Sequence, residues 1–163
     1  MATATPTYAT KVTMSMTLDS LVSDSNLVAG RESTAVDNKD TDDAIDALVG
    51  GKVTTGTSPT ASRQIEVWAY GSYDDTLFSG AATGSNATLT PDYKSGMRLL
   101  TVIPTTNSSN KTYIWGPFSV AQAFGGIIPV RWGIYIVHNT GVNLNSTGSN
   151  HAVEYYPIKF ESA

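Results

Sequence analysis

The chain contains no cysteine. Disulfides, zinc thiolates and thiol nucleophiles are excluded together. Histidine is nearly absent as well: His138 and His151 are the only two, which leaves little for imidazole catalysis or a zinc site. Charged residues make up only 15% of the chain, and Lys and Glu, the usual residues of exposed helices, are few. Ten Lys and Arg lie scattered between Lys11 and Lys159 against fourteen Asp and Glu, for a net charge of −4. No basic stripe forms that would neutralise phosphates, which argues against direct nucleic-acid binding and against anionic membranes. The longest apolar run, Phe124 to Val130, is broken by Gly125, Gly126 and Pro129 and falls well short of the ~20 residues a membrane helix needs. Residues Met1 to Thr10 show no early positive charge, apolar core or cleavage pattern of a targeting segment. The expectation is a soluble protein.

What the chain does have is Thr, Ser, Gly and Asn, residues of strands, turns and loops. Its 163 residues fit one domain, large enough to bury roughly 70% of its unfolded surface without staples. Met1 to Thr10, small and polar around Pro6 and Tyr8, reads as a flexible arm. From Lys11 to Ala163 the pattern is that of a single sandwich. Val12, Met14, Met16 and Leu18 alternate with polar residues, the period of a half-buried strand, and Ile65, Val67 and Ala69 do the same within Gln64 to Tyr70. Arg31 to Val36, Leu99 to Ile103, Lys111 to Trp115, Val130 to Val137 and His151 to Phe160 read as further strands. Leu99 to Ile103 is of the buried type and ends at Pro104; Lys111 to Trp115 ends at Gly116 and Pro117. Thr41 or Asp42 could cap a short helix through Leu48, but Ile45, Ala47, Val49 and Val53 share one face of a strand that runs past Gly50 and Gly51, and the strand is favoured. Phe118 to Phe124 fits a short strand or one helical turn. Gly71 to Asp92 is a long, turn-rich connection of the kind that is often functional or flexible. About eight strands with turns between them give an all-β fold: an antiparallel β-sandwich, jelly-roll-like in arrangement.

Chemistry-bearing groups do not converge in this sequence. Neither histidine sits in a nucleophile signature. His138 follows an apolar strand and precedes Asn139, Thr140 and Asn143, so its expected role is a structural tie to nearby backbone or to that polar cluster. The acidic stretch Asp37 to Asp43 departs from a calcium loop: Lys39 stands at a ligand position, and no turn glycine or closing glutamate follows. It reads as a solvated loop. Glu66 and Glu154 alternate with apolar neighbours and read as solvent-facing, which leaves no placeable carboxylate pair for glycoside hydrolysis. No catalytic, cofactor-binding or metal-binding residue is assigned, and the chain is not read as an enzyme. Trp68 and Tyr70 share the strand face opposite Ile65 and Val67. If that face is open, they form an aromatic contact surface.

Three stretches taken together resemble a known group: SNLVAGRESTAVDN (Ser25 to Asn38), LVGGKVTTGTSPTASRQIEVWAYGS (Leu48 to Ser72) and WGIYIVHNTGVNLNSTGSNHAVEYYPI (Trp132 to Ile158). They resemble the small structural proteins of tailed-bacteriophage virions, of the jelly-roll capsid decoration (cement) type. The resemblance implies a virion component on the outer face of the capsid, made in the host cytoplasm. It would bind the major capsid protein and associate with itself, with no cofactor. Expected partner contacts are Pro6 and Tyr8 on the arm and Trp68 and Tyr70 on the sheet, because aromatic residues anchor interfaces. The acidic balance favours the outside of the head over the DNA-facing inside. A carbohydrate-binding or host-adhesion module on a similar sandwich is the alternative.

Overall fold

The computed structural model describes residues 4–162. Eleven strands run in chain order: β1 (Ala4–Tyr8), β2 (Val12–Thr13), β3 (Gly30–Glu32), β4 (Val36–Asp37), β5 (Asp46–Thr54), β6 (Arg63–Ser72), β7 (Ala87–Leu89), β8 (Arg98–Thr105), β9 (Thr112–Ser119), β10 (Arg131–His138) and β11 (Ala152–Ser162), with an α-helical turn, α1 (Val120–Ala123), and four other short helical turns in the connections. They form two antiparallel sheets, as the alternation implies. One is five-stranded, in the order β1–β11–β5–β9 with β2 also on β11. The other is six-stranded, in the order β7–β3–β10–β6–β8 with β4 also on β10. Eleven strands replace the expected eight or so, because pieces of two or three residues pair locally.

The inner faces of the two sheets supply the main core. From the six-stranded sheet come Ile65, Val67 and Ala69 of β6 and Trp132, Ile134 and Ile136 of β10. From the other come Ala47, Val49 and Val53 of β5, Trp115 of β9, and Val153 and Tyr155 of β11. These residues are spaced by two within each strand, so each strand turns one side to the partner sheet. The Trp132 and Tyr155 rings meet edge to face with centroids 5.1 Å apart, tying one sheet to the other. Full burial of each such side chain contributes roughly 1.5–3 kcal/mol.

A second core lies on the far side of the six-stranded sheet. The connection from Gly71 to Asp92 folds back over that side and brings Phe78, Ala82 and Leu89 onto Tyr70, Tyr135 and Val137, and Met97 closes over them. Its segment β7 pairs with β3, Gly30 opposite Leu89 and Glu32 opposite Ala87. Two further contacts fix the layer. Gly133 leaves room for the Tyr70 ring, which lies 2.3 Å from where a Cβ would stand. Glu32 is fully buried, and its carboxylate accepts from the Thr83 N–H at 2.9 Å, the Thr83 hydroxyl at 2.8 Å and the Gly84 N–H at 3.1 Å. A carboxylate removed from water needs such donors, and here all of them come from the connection.

Several expectations are corrected. Ala4–Tyr8 is not a free arm: it pairs in register with Ile158–Ser162, from Tyr8 opposite Ile158 to Ala4 opposite Ser162. The arm reading for Met1 to Thr3 lies outside the described residues. The strand expected over Val12 to Leu18 shrinks to Val12–Thr13. Met14 and Leu18 are buried as their spacing requires, but the chain there crosses between layers. Its backbone groups find other partners: the Met14 N–H donates to Val153 O, Thr34 N–H donates to Ser15 O, and Thr17 N–H donates to the Asn86 side chain. Leu99 to Ile103 is an edge strand, not a buried one, with Leu99 and Val102 exposed, and it continues through Pro104 because the outer side of an edge needs no N–H. β9 likewise runs on through Gly116 and Pro117. The strand reading holds for Ala47, Val49 and Val53 as β5, whereas Ile45 lies just before the strand and is exposed; Phe118 to Phe124 contains the helical turn α1.

Replacing Glu32 with Ala should cost roughly 1–3 kcal/mol for the donors left unpaired. It should also selectively speed hydrogen exchange at the Thr83 and Gly84 amides. Unchanged exchange at both would show that Glu32 does not hold the layer.

Candidate functional site

Among the described residues, none forms a layer over the outer side of the five-stranded sheet. In β11 the residues pointing away from the core are Glu154, Tyr156, Ile158 and Phe160; their neighbours Val153, Tyr155 and Pro157 are buried. Residues paired across an antiparallel ladder share a face. The register therefore puts Pro6 beside Phe160, Tyr8 beside Ile158 and Leu48 beside Tyr156. Ile114 of β9 pairs with Lys52 and stands on the same side. The Tyr8 and Tyr156 rings meet edge to face with centroids 6.4 Å apart.

Tyr8, Leu48, Ile114, Pro117 and Tyr156 line a groove of about 640 Å³ whose floor includes Gly50 and Gly116. The floor is low because β5 and β9 approach closely there. A Cβ on Gly50 would lie 2.9 Å from the Trp115 carbonyl oxygen, and one on Gly116, at φ +84°, would lie 2.6 Å from that of Val49. Glu154, opposite Gly50, brings a carboxylate into the groove, and its charge is paired. Lys11 and Glu154 pair at 2.9 Å, Lys52 donates to Ser149 O, and Asp46 accepts from the Ser119 hydroxyl and the Ala121 N–H. The lining is mostly apolar, which suits contact with apolar matter.

The structure separates the four residues expected to make partner contacts. Pro6 and Tyr8 come together on this face. Trp68 and Tyr70 lie on the other sheet under the Gly71 to Asp92 connection, and they form no aromatic surface. Tyr70 is fully buried, and its hydroxyl donates to Ser33 O at 2.6 Å; burial raises its pKa. Trp68 is half-buried. Its Nε1–H donates to Glu66 at 2.9 Å, and the Lys94 ammonium sits 4.9 Å from its ring centroid. Glu66 is not solvent-facing either: Lys94 Nζ at 2.6 Å and Gln64 Nε2 at 2.9 Å complete its partners.

Leu48, Ile114 and Phe160 were not singled out from sequence. One signal was available. Tyr155 and Tyr156 are adjacent in a strand, so both cannot face the same core.

Both histidines are engaged in structural ties. His138 is fully buried in the position expected of a link to the following loop. Its Nε2 is 3.0 Å from Leu21 O and its Nδ1 is 3.0 Å from the Thr140 hydroxyl. A carbonyl only accepts, so Nε2 carries the proton and Nδ1 shares the Thr140 hydroxyl with Val142 O. Burial lowers the pKa to about 4, against the partial opposition of the Leu21 bond. His151 donates from Nε2 to Asn145 O at 2.9 Å, and burial lowers its pKa too.

The acidic stretch forms a wide turn at Asn38–Asp42. The Asp40 N–H and then Arg131 hold the Asp37 carboxyl below the usual range. Asp42 accepts from the Tyr155 hydroxyl at 2.8 Å. Among the described residues, no three His, Cys, Asp or Glu side chains converge as a metal site.

No family model, no curated protein and no solved structure matches the chain.

The histidines make acid stability measurable. Between pH 6.5 and about 4 the unfolded chain binds a proton at residue 138 that the folded chain refuses. Stability is therefore full above 6.5 and falls as pH drops through this window, by roughly 3 kcal/mol for His138. Urea denaturation should show the fall, and His138→Ala should remove most of it. A flat profile across that window would contradict the burial of a neutral imidazole.

Proposed function

We propose that this protein is a structural component of a tailed-bacteriophage virion, a jelly-roll-like decoration (cement) protein on the outer face of the head. In this reading it binds the major capsid protein as adjacent copies or as a homo-oligomer, and it resists separation of capsid subunits under internal pressure. The observation that supports it most is the uncovered apolar face of the five-stranded sheet, where Tyr8, Ile114, Tyr156 and Phe160 are all exposed. An isolated monomer gains nothing by presenting these side chains to water, whereas a member of an assembly covers them. The resemblance of the three sequence stretches to virion proteins supplies the setting. Many copies on one lattice let weak individual contacts hold through avidity, and the net charge of −4 suits a surface away from packaged DNA.

Imaging of purified particles should show density for this protein on the outside of the head. Heads stripped of it should release DNA at lower temperature and recover on adding the wild-type protein back. Ile114→Asp, a change at an exposed position, should fold normally and fail to restore them. Density confined to the tail, or stripped heads as robust as intact ones, would contradict the decoration assignment.

A further inference from the structure

β11 is longer than the sheet it belongs to. Its pairing with β5 ends at Ile158 opposite Asp46, while its pairing with β1 begins at Ile158 and continues to Ser162. From Lys159 onward, β11 has β1 as its only strand neighbour among the described residues. The chain's two ends thus run on past β5 as a two-stranded ribbon. Isolated ribbons of two strands are at best marginally stable in water and need a third surface. On the outer face this ribbon carries Pro6 opposite Phe160. Immediately beside them on the same face, beyond Tyr8 and Tyr156, lies the groove between Leu48, Ile114 and Pro117. An apolar projection and an apolar recess therefore sit side by side on one surface.

We infer that the groove receives the ribbon of a second copy of this chain: Phe160 and Pro6 of one protomer seat between Ile114 and Tyr156 of the other, and a two-fold axis repeats the contact. This rests on the reading of the face as an interface and names its occupant. A projection and a recess on one face are self-complementary under a two-fold rotation, which closes the assembly.

Charge agrees with a self-pairing. The chain as a whole carries −4, but this face balances Lys11 and Lys52 against Asp46 and Glu154, with the groove-lining Glu154 neutralised by Lys11 at 2.9 Å, so two copies of an acidic protein meet here without repulsion. Size agrees as well. Ile114 is 84% exposed, Tyr8 67%, Phe160 58% and Tyr156 44%. At roughly 200 Å² per large side chain these four present on the order of 400–500 Å², more than half of the ~800 Å² per partner of a standard interface. Leu48, Pro6, Ile158 and Pro117 add to it.

The test uses the purified full chain with no particles present. Sedimentation at micromolar concentrations should give twice the 17.3 kDa monomer mass. Phe160→Asp and Ile114→Asp should each sediment as monomers with unchanged far-UV circular dichroism, and should melt somewhat lower because dimer formation no longer adds to stability. Leu99→Asp, on the exposed edge of the other sheet, should remain dimeric. Because the chain lacks cysteine, single thiols report proximity directly. A mixture of Phe160→Cys and Ile114→Cys chains should oxidise mainly to the mixed disulfide dimer. A wild-type monomer at these concentrations would overturn the self-pairing, and so would cross-linking of Ile114→Cys mainly to itself. Neither result bears on where the protein sits on particles, so the virion reading stands or falls separately.

Discussion

Every residue of β10 from Trp132 to His138 is buried, and a strand covered on both faces needs a layer on each side. The arrangement of the other elements follows from that requirement. Trp132, Ile134 and Ile136 require the five-stranded sheet, which meets them through Val49, Val53, Trp115 and Tyr155. Tyr135 and Val137 require cover on the opposite side, and the Gly71 to Asp92 connection provides it. Glu32 pairs with Tyr135 on the neighbouring strand, and its carboxylate clamps that cover through Thr83 and Gly84. His138, at the end of β10, ties the strand to the Leu21 carbonyl and the Thr140 loop. The six-stranded sheet is thus covered on both faces along β10, while its edge strand β8 leaves Leu99 and Val102 exposed. The outer face of the five-stranded sheet is left open.

Much of this could be read from the sequence where a local pattern has one physical solution. Ile65, Val67 and Ala69 alternate with polar or aromatic residues and face the core as alternation demands. Ala47, Val49 and Val53 keep a period of two across Gly50 and Gly51, and they lie on one buried face of a strand. His138 sits among groups able to bond it, and it is bonded. The reading failed where a face is covered by residues distant in sequence. Nothing near Tyr70 signals that Phe78 and Met97 pack over it, so an aromatic on the far face of β6 looked free. Leu99 to Ile103 failed in the opposite sense, because an apolar edge strand and an apolar central strand have the same composition. The Val12 to Leu18 pattern placed Met14 and Leu18 correctly in the core but not Val12, which is exposed, and not the pairing, since scattered carbonyls and the Asn86 amide can replace a ladder.

The candidate site was half legible for the same reason. Pro6 and Tyr8 stood out as apolar residues in a polar segment, and they lie on the open face. Trp68 and Tyr70 stood out equally, but Tyr70 is enclosed by the second core, and Trp68 is half-buried beside the Glu66–Lys94 pair. Ile114 and Phe160 are ordinary strand residues in sequence. Their importance depends on which sheet remains uncovered, and that is decided by the long connection choosing β10 and β6 over β11 and β5.

The central claim is that the outer face of the five-stranded sheet is the surface through which this protein works. Hydroxyl-radical footprinting of the protein alone at low concentration and then bound to particles tests it most directly, because exposed aromatic side chains exist on both sides of the molecule. Tyr8, Tyr156 and Phe160 should become protected on the particle. Tyr73 and Tyr93, which are 83% and 58% exposed and lie outside that face, should oxidise as before. Protection of Tyr73 and Tyr93, with Tyr8, Tyr156 and Phe160 unchanged, would contradict the account.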